Sequence, residues 1–149
     1  MARRTKIIFE PIDLSAIENH YLLSWLDAQC FPDDTPAIIP GAEWWIGRNP
    51  IGVSACYCAY RVRYESRTPV AELYRAGVMP GFRGQGLQRR MIDLRCKAAK
   101  KQNLKTAMAV TAWNNAASMR SLMAAGFKPH RPNAYTTILE TLVHWRRDL

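Results

Sequence analysis

The stretch VMPGFRGQGL, residues 78–87, decides the fold of this chain. The apolar run before it, residues 70–79, is typical of a β-strand, and Pro80 ends that strand. The residues after it place apolar side chains at helical spacing, with charged residues on the opposite face: Leu87, Met91, Leu94 and Ala98. The sequence therefore predicts a strand, a glycine-containing turn and an amphipathic helix of about four turns.

Such a turn is a candidate anion site. Unpaired backbone N–H groups and the positive end of the helix dipole point at one spot there. Gly84 and Gly86 let the main chain approach a phosphate, and Arg83 and Arg89 add positive charge for a pyrophosphate. The P-loop and dinucleotide fingerprints do not fit, because the first needs Gly-Lys-Ser/Thr and the second needs a third glycine where Arg89 stands. A sharp strand-to-helix turn with exposed arginines remains the alternative.

Outward from the turn, proline, glycine and asparagine divide the chain into alternating elements. The predicted order is strand, helix, three strands, helix, strand, helix, strand, which is typical of an α/β domain with helices packed on one layer of sheet. We predict that Gly77 forms a bulge in its strand and that Asn115 and Gly126 cap the last helix. The predicted strands are residues 7–12, two arms of a hairpin within 43–62, 70–79, 104–112 and 135–143, and the predicted helices begin near 17, 87 and 116. The second arm of the hairpin is expected to present one apolar face: Ile51, Val53, Ala55, Tyr57 and Ala59.

Composition sets the class of protein. The chain has 149 residues, 48% of them hydrophobic, which fits one globular domain over residues 1–149. No apolar run is long enough for a membrane span, so we expect a cytoplasmic protein that does not bind membranes. The four cysteines show no metal-ligand spacing, so we expect reduced core residues and no metal. The net charge of +9 indicates an anionic partner, which could be nucleic acid, phospholipid headgroups or a phosphorylated small molecule.

Two motifs carry a resemblance to a known family. Val78-Met79-Pro80 followed by Gly81-Phe82-Arg83-Gly84-Gln85-Gly86 resembles the central motif of the GNAT superfamily of acyl-CoA-dependent N-acyltransferases, with Gly81 in place of the family's Gln or Arg. Residues 115–127, NAASMRSLMAAGF, resemble the family's downstream Asn-x-x-Ala motif. The resemblance implies the GNAT fold, a single mixed, mostly antiparallel sheet that is splayed at its centre and carries helices on both faces.

The same resemblance implies an activity and a set of site residues. The expected reaction is transfer of an acetyl group from acetyl-CoA, a co-substrate, to a primary amine of a small molecule or peptide by direct attack in a ternary complex. A homodimer stays possible. The expected acetyl-CoA contacts are residues of the turn, the strand before it and the second motif: Ala76, Gly77, Val78, Arg83, Gly84, Gln85, Gly86, Leu87, Gln88, Asn115 and Ser118. Asn115 could equally be a plain N-cap.

The proton-transfer residues are less directly indicated. Several family members place a glutamate at the position of Glu72 as general base, and the alternative is a glutamate paired with Arg75 or a neighbouring arginine. Leu122 stands where the family commonly has the tyrosine that protonates the thiolate, and leucine has no proton to donate. Tyr135 is therefore expected as a substitute acid, with Tyr74 as another candidate.

Two other functions remain open at this point. The basic residues around the helix after the turn, Arg95 among them, suggest a nucleic-acid-binding protein, although no known reading motif appears and we expect nucleic acid not to be the partner. The leucine at position 122 suggests a catalytically inactive protein that binds acyl-CoA.

Overall fold

The structure is a computed structural model, and it describes residues 4–35, 38–131 and 142–149. The β-strands are β1 (Ile8–Ile12), β2 (Glu43–Arg48), β3 (Ser54–Glu65), β4 (Thr68–Val78), β5 (Thr106–Ala112), β6 (Lys128–Pro129) and β7 (Leu142–Asp148). The helices are α1 (Ile17–Cys30), α2 (Leu87–Lys101), α3 (Ala116–Ala124) and a short 3₁₀ turn, Pro80–Phe82.

The seven strands form one mixed sheet in the order β1-β2-β3-β4-β5-β7-β6. β1, β2 and the first part of β3 pair antiparallel, β4 pairs parallel with β5, and β7 pairs antiparallel with both β5 and β6. The parallel register joins Ala71 to Ala107 and Glu72 to Met108. This arrangement confirms the predicted α/β class with a mixed, mostly antiparallel sheet.

The chain divides into two compact units. The first comprises Met1–Tyr60 and Tyr74–Met91, and the second comprises Arg61–Leu73 and Ile92–Leu149. In the first unit, Leu23 and Leu26 of α1 pack with buried side chains of β2 and β3, including Trp44, Ile46 and Tyr57. Burial of large apolar side chains such as these is the main favourable term in folding. The expectation of a single domain stays a prediction.

In the second unit, β5 alternates between a buried and a more open face. Ala107 and Ala109 are fully or almost fully buried, whereas Val110 is 37% exposed. The buried face also holds Trp145 of β7, whose indole N–H donates to Thr111 Oγ1 over 3.0 Å. The period-two pattern shows that one face of this part of the sheet is packed and the other is not.

Most predicted elements are confirmed, and the differences have physical reasons. Ile51 and Val53 were expected on a strand face, but Ile51 lies in the turn between β2 and β3 and is 84% exposed. Ala55, Tyr57 and Ala59 are fully buried, as the predicted apolar face requires, and the opposite face of this part of β3 is buried as well. Arg95, expected on the basic surface of α2, is 3% exposed. β6 was not predicted, because two residues carry no periodicity, and the bulge at Gly77 stays a prediction.

Candidate functional site

The turn between β4 and α2 has a backbone that requires glycine. Gly84 and Gly86 have φ angles of +76° and +78°, in the region that side chains with a Cβ rarely adopt. A Cβ built on either glycine meets no other atom within 4 Å. The two glycines therefore allow a left-handed main chain, and the space in front of them is open to a ligand.

The same turn presents backbone hydrogen-bond donors. Backbone pairing of α2 begins with Arg90 N–H donating to Gly86 O over 3.3 Å. The N–H groups of the first helical turn, which starts at Leu87, have no acceptor inside the helix. Together with the positive end of the helix dipole, these groups favour an anion such as a phosphate.

Three side chains near the turn anchor it within the first unit. Arg83 Nε donates to Val78 O over 3.2 Å, and Gln85 Oε1 accepts from Thr5 N–H over 3.3 Å. Arg90 donates to Ile7 O over 2.8 Å. Arg83 and Gln85, which the sequence suggested for a ligand, thus also hold the turn in place.

A buried polar network lies against the last residues of β4. Tyr57 hydroxyl donates to Asp27 Oδ1 over 2.6 Å, and Arg75 donates to both Asp27 oxygens over 2.8 and 3.0 Å. Burial, followed by the hydrogen bond to Asp27, raises the pKa of Tyr57, so this hydroxyl stays protonated. A Cβ on Gly77 would lie 2.5 Å from the Tyr57 oxygen, so glycine is required here for space. The sequence alone does not show this network, because Asp27 on α1 and Arg75 on β4 are 48 residues apart.

Glu72 is ion-paired in the second unit. It is 8% exposed, and it accepts from Arg61 Nε over 2.5 Å and from Arg63 Nη1 over 3.3 Å. The alternative of a paired glutamate is confirmed, but Arg75 is the wrong partner because it binds Asp27. Each carboxylate oxygen has two lone pairs, so one on each oxygen can still accept a proton or a hydrogen bond.

The second motif folds as its spacing predicts. Asn115 caps α3, and its Oδ1 accepts from Ser118 N–H over 3.2 Å. Gly126 has a φ of +87° and ends the helix. Leu122 is 5% exposed and belongs to the core, so no proton donor stands at this position. Tyr135 lies outside the described residues.

The predicted donor-binding residues fall into two groups. Nine of them lie in the first unit, at the end of β4, in the turn or at the start of α2, whereas Asn115 and Ser118 lie in the second. Their role in binding stays a prediction.

The cysteines behave as core residues. Cys56 and Cys58 are fully buried, and burial raises the pKa of the Cys56 thiol to about 12. At neutral pH this thiol is protonated and is not a nucleophile. In the described ranges no three metal-ligating side chains form a cluster, and none of the helices there is long and apolar enough to cross a membrane.

Comparison with known proteins supports an assignment. The sequence profile of the Acetyltransferase (GNAT) family matches residues 11–127. No curated protein matches the chain in a sequence comparison.

Solved structures share the fold. One, described as the NatC complex bound to Gag peptide and CoA, has a TM-score of 0.78 at 13% identity, covering 97% of this chain and 99% of its own. An Arabidopsis thaliana NAA60 in complex with a bisubstrate analogue has a TM-score of 0.70 at 14% identity, covering 96% and 98%. An IAA acetyltransferase from Bacillus cereus has a TM-score of 0.73 at 12% identity, covering 97% and 100%.

Proposed function

Because the chain belongs to the GNAT acetyltransferase family, we propose that it transfers the acetyl group of acetyl-CoA to a primary amine by direct attack in a ternary complex. The observation that carries this proposal is the turn at the start of α2. Its two left-handed glycines face open space, and the N–H groups of the helix begin beside them. A pyrophosphate has the charge and the acceptor oxygens that such a turn binds.

Arg83 has a defined part in this proposal. Its guanidinium carries up to five N–H donors, and Nε donates to Val78 O. The remaining donors are available to a phosphate while the Nε bond fixes the side chain at the end of β4. Gly84 and Gly86 supply close approach, and Leu87 and Gln88 supply helix N–H groups.

The chemistry needs one proton acceptor and one stabilised oxyanion. The free amine attacks the thioester carbon, the carbonyl oxygen takes up negative charge, and the carbon–sulfur bond then breaks to give an amide and a thiolate. We assign Glu72 as the acceptor of the proton that the ammonium loses, directly or through water. Its second lone pairs permit this role, and Arg61 and Arg63 fix its position.

In this proposal the thiolate leaves without a proton donated by residue 122 of the second motif. Leu122 is a buried core residue with no exchangeable proton. A CoA thiolate is a sufficient leaving group for this step, and the assignment of Tyr135 as a proton donor remains a proposal from the family resemblance.

Peptides and small molecules are both reasonable acceptors. Two proteins with this fold are described with a peptide and CoA or with a bisubstrate analogue, which supports an acceptor with a free amine. The decisive experiment combines calorimetry of acetyl-CoA binding with an unbiased screen of amines and radiolabelled acetyl-CoA. We expect stoichiometric binding and transfer to at least one amine. Binding without transfer to any amine would identify an inactive acyl-CoA-binding protein, and absence of binding would refute the proposal.

A further inference from the structure

A row of side chains crosses the sheet of the second unit. The strand registers align Glu72 with Met108, Met108 with Arg146, and Arg146 with Lys128. Directly opposed residues on neighbouring strands project from the same face. The row therefore places a carboxylate, a thioether and two cations on one face of β4, β5, β7 and β6.

At β5 this face is the more exposed one. Val110 lies on it, two residues from Met108, and is 37% exposed, whereas Ala109 on the opposite face is 5% exposed. His144 is aligned with Val110, and its carbonyl oxygen accepts from His130 N–H over 2.8 Å. His144 thus lies beside the row of charges, and within the described ranges both of its ring nitrogens are buried without a hydrogen-bond partner.

The charges on this face do not balance. Arg61 and Arg63 reach it through their bonds to Glu72, and Arg146 donates to Glu65 Oε2 over 3.0 Å. We call this group the basic sheet face; it consists of the cations Arg61, Arg63, Lys128 and Arg146 and the carboxylates Glu65, Glu72 and Asp148, the last lying two residues from Arg146 on the same face of β7. Four cations thus face three carboxylates, which leaves a formal excess of one positive charge.

Two features of the basic sheet face indicate room for another anion. Lys128 and Arg146 are directly opposed, and like charges in that position are destabilising. Arg63 donates one N–H to Glu72, and its side chain is 53% exposed, so this cation is accessible from solvent. An open cavity of about 470 Å³ adjoins Arg146 and Lys128 and is lined also by His130 and Asp148.

We infer that the acceptor is an anionic amine, one that carries a carboxylate or phosphate close to its amino group. This inference rests on the proposed function, because it assigns the acidic group to the basic sheet face and the amino group to Glu72. The ammonium is attracted to the Glu72 carboxylate, and the acidic group binds Arg63, Arg146 and Lys128. A cationic acceptor is disfavoured, since it would meet the excess positive charge.

The phosphates of acetyl-CoA are a competing source of negative charge. Within the second unit, Asn115 follows the Ala112 end of β5, whereas Arg146 is aligned with Met108. Four residues of strand separate these positions, about 13 Å. The basic sheet face is therefore distinct from the part of the second unit that the family motif assigns to the cofactor.

The test uses acceptor pairs that differ in one charge. One pair of peptides has Asp or Asn beside the amino-terminal residue, a second pair has phosphoserine or serine there, and a third pair is a small amino acid and its amide. We expect kcat/KM with acetyl-CoA to be about tenfold higher for the acidic member of at least one pair, the value of one hydrogen bond between charged groups. The pair with the largest ratio shows whether the preferred acidic group is a carboxylate or a phosphate, and whether the preferred acceptor is a peptide or a small molecule. The preference should shrink between about 0.05 and 0.5 M salt, because salt screens exposed charges.

Single-residue variants test whether the basic sheet face causes the preference for the acidic acceptor. Lys128→Gln should lower kcat/KM for the acidic acceptor several-fold and leave the neutral acceptor and the acetyl-CoA Kd unchanged. Lys97→Gln, which removes the same charge from an exposed position on α2, should change neither. Equal kcat/KM within every pair, or a weakened acetyl-CoA Kd in Lys128→Gln, would overturn the inference.

A binding measurement tests the inference independently of the proposed function. Where no amine is acetylated, equilibrium binding of the fluorescently labelled Asp and Asn peptides to the wild type and to Arg63→Gln decides the inference without turnover. Tighter binding of the Asp peptide, lost in Arg63→Gln, supports the basic sheet face as an anion site. Equal binding refutes it.

Discussion

Glu72 is the residue at which catalysis and stability can be separated. In Glu72→Gln the side chain keeps its shape but cannot accept a proton from an ammonium. If Glu72 is the base, kcat should fall about 10²–10⁴-fold with acetyl-CoA affinity nearly unchanged. Steady-state kinetics with a fixed amine, together with calorimetry, measures both.

The ion pairs of Glu72 supply the control. Arg63→Gln removes one of its two partners and leaves the carboxylate in place. A purely structural glutamate predicts a lowered Tm in Glu72→Gln with normal kcat for the folded fraction. A stable and fully active Glu72→Gln enzyme would leave proton removal to water or to the substrate.

Asp27 is expected to matter for stability. It is fully buried and binds Tyr57 and two nitrogens of Arg75, so Asp27→Asn leaves the partly buried Arg75 guanidinium with the exposed Asp34 carboxylate as its remaining ion-pair partner. Breaking a buried ion pair typically costs about 3–5 kcal/mol. Urea unfolding should show a loss of this size.

The exposed ion pair of Glu10 is the control for the buried ion pair of Asp27. Its pair with Arg48 spans 3.4 Å, and the Glu10 side chain is 61% exposed. Exposed pairs contribute about 0–1 kcal/mol, so Glu10→Gln should be nearly neutral. Equal effects of Asp27→Asn and Glu10→Gln would contradict the structural role of the buried network.

At the scale of elements, the turn between β4 and α2 is expected to bind the phosphates of acetyl-CoA. Gly84→Val/Gly86→Val places branched side chains in the open space and forces both residues into a disfavoured backbone region. We expect the variant to lose most of its acetyl-CoA affinity. Calorimetry on the folded protein measures this, and an unchanged Kd would refute the phosphate-binding turn.

Gly52 separates strain from binding. It has a φ of +88° and no atom within 4 Å of a built Cβ, and it lies in the turn between β2 and β3. Gly52→Val therefore carries similar backbone strain at a position with no proposed ligand. We expect it to lower Tm without changing the acetyl-CoA Kd.

At the scale of the whole molecule, positive charge is concentrated in one unit. The second unit holds 13 of the 21 basic residues and five of the 12 acidic ones, so it carries a net +8 of the total +9. We predict that duplex DNA binds only at the non-specific level, with a Kd of about 10⁻⁴–10⁻⁶ M that weakens steeply with salt. Fluorescence anisotropy over a salt series measures it. Sequence-selective nanomolar binding at physiological salt would instead favour a nucleic-acid-binding protein.

Local signals predicted most of the architecture and only part of the candidate site. The left-handed glycines, the Asn115 cap and the amphipathic α2 follow from residue types at fixed spacing, so they could be read from the chain. The partners of Glu72 could not be read from the chain, because the sequence does not distinguish Arg61 and Arg63, which bind Glu72, from Arg75, which binds Asp27. The exposure of Ile51 was also mispredicted, since alternation alone does not show where a strand begins.

The sequence by itself determined the order of the longer elements, the family motifs and the turn at residues 78–87, because turn chemistry and hydrophobic period act between near neighbours. Only the tertiary structure decided that Arg75 binds Asp27, that Arg61 and Arg63 hold Glu72, and that Arg146 and Lys128 share a face with it. Strand register sets which side chains meet across a sheet, and a shift of one residue would turn each side chain to the opposite face. That register depends on packing between distant segments, which residue spacing along the chain does not encode.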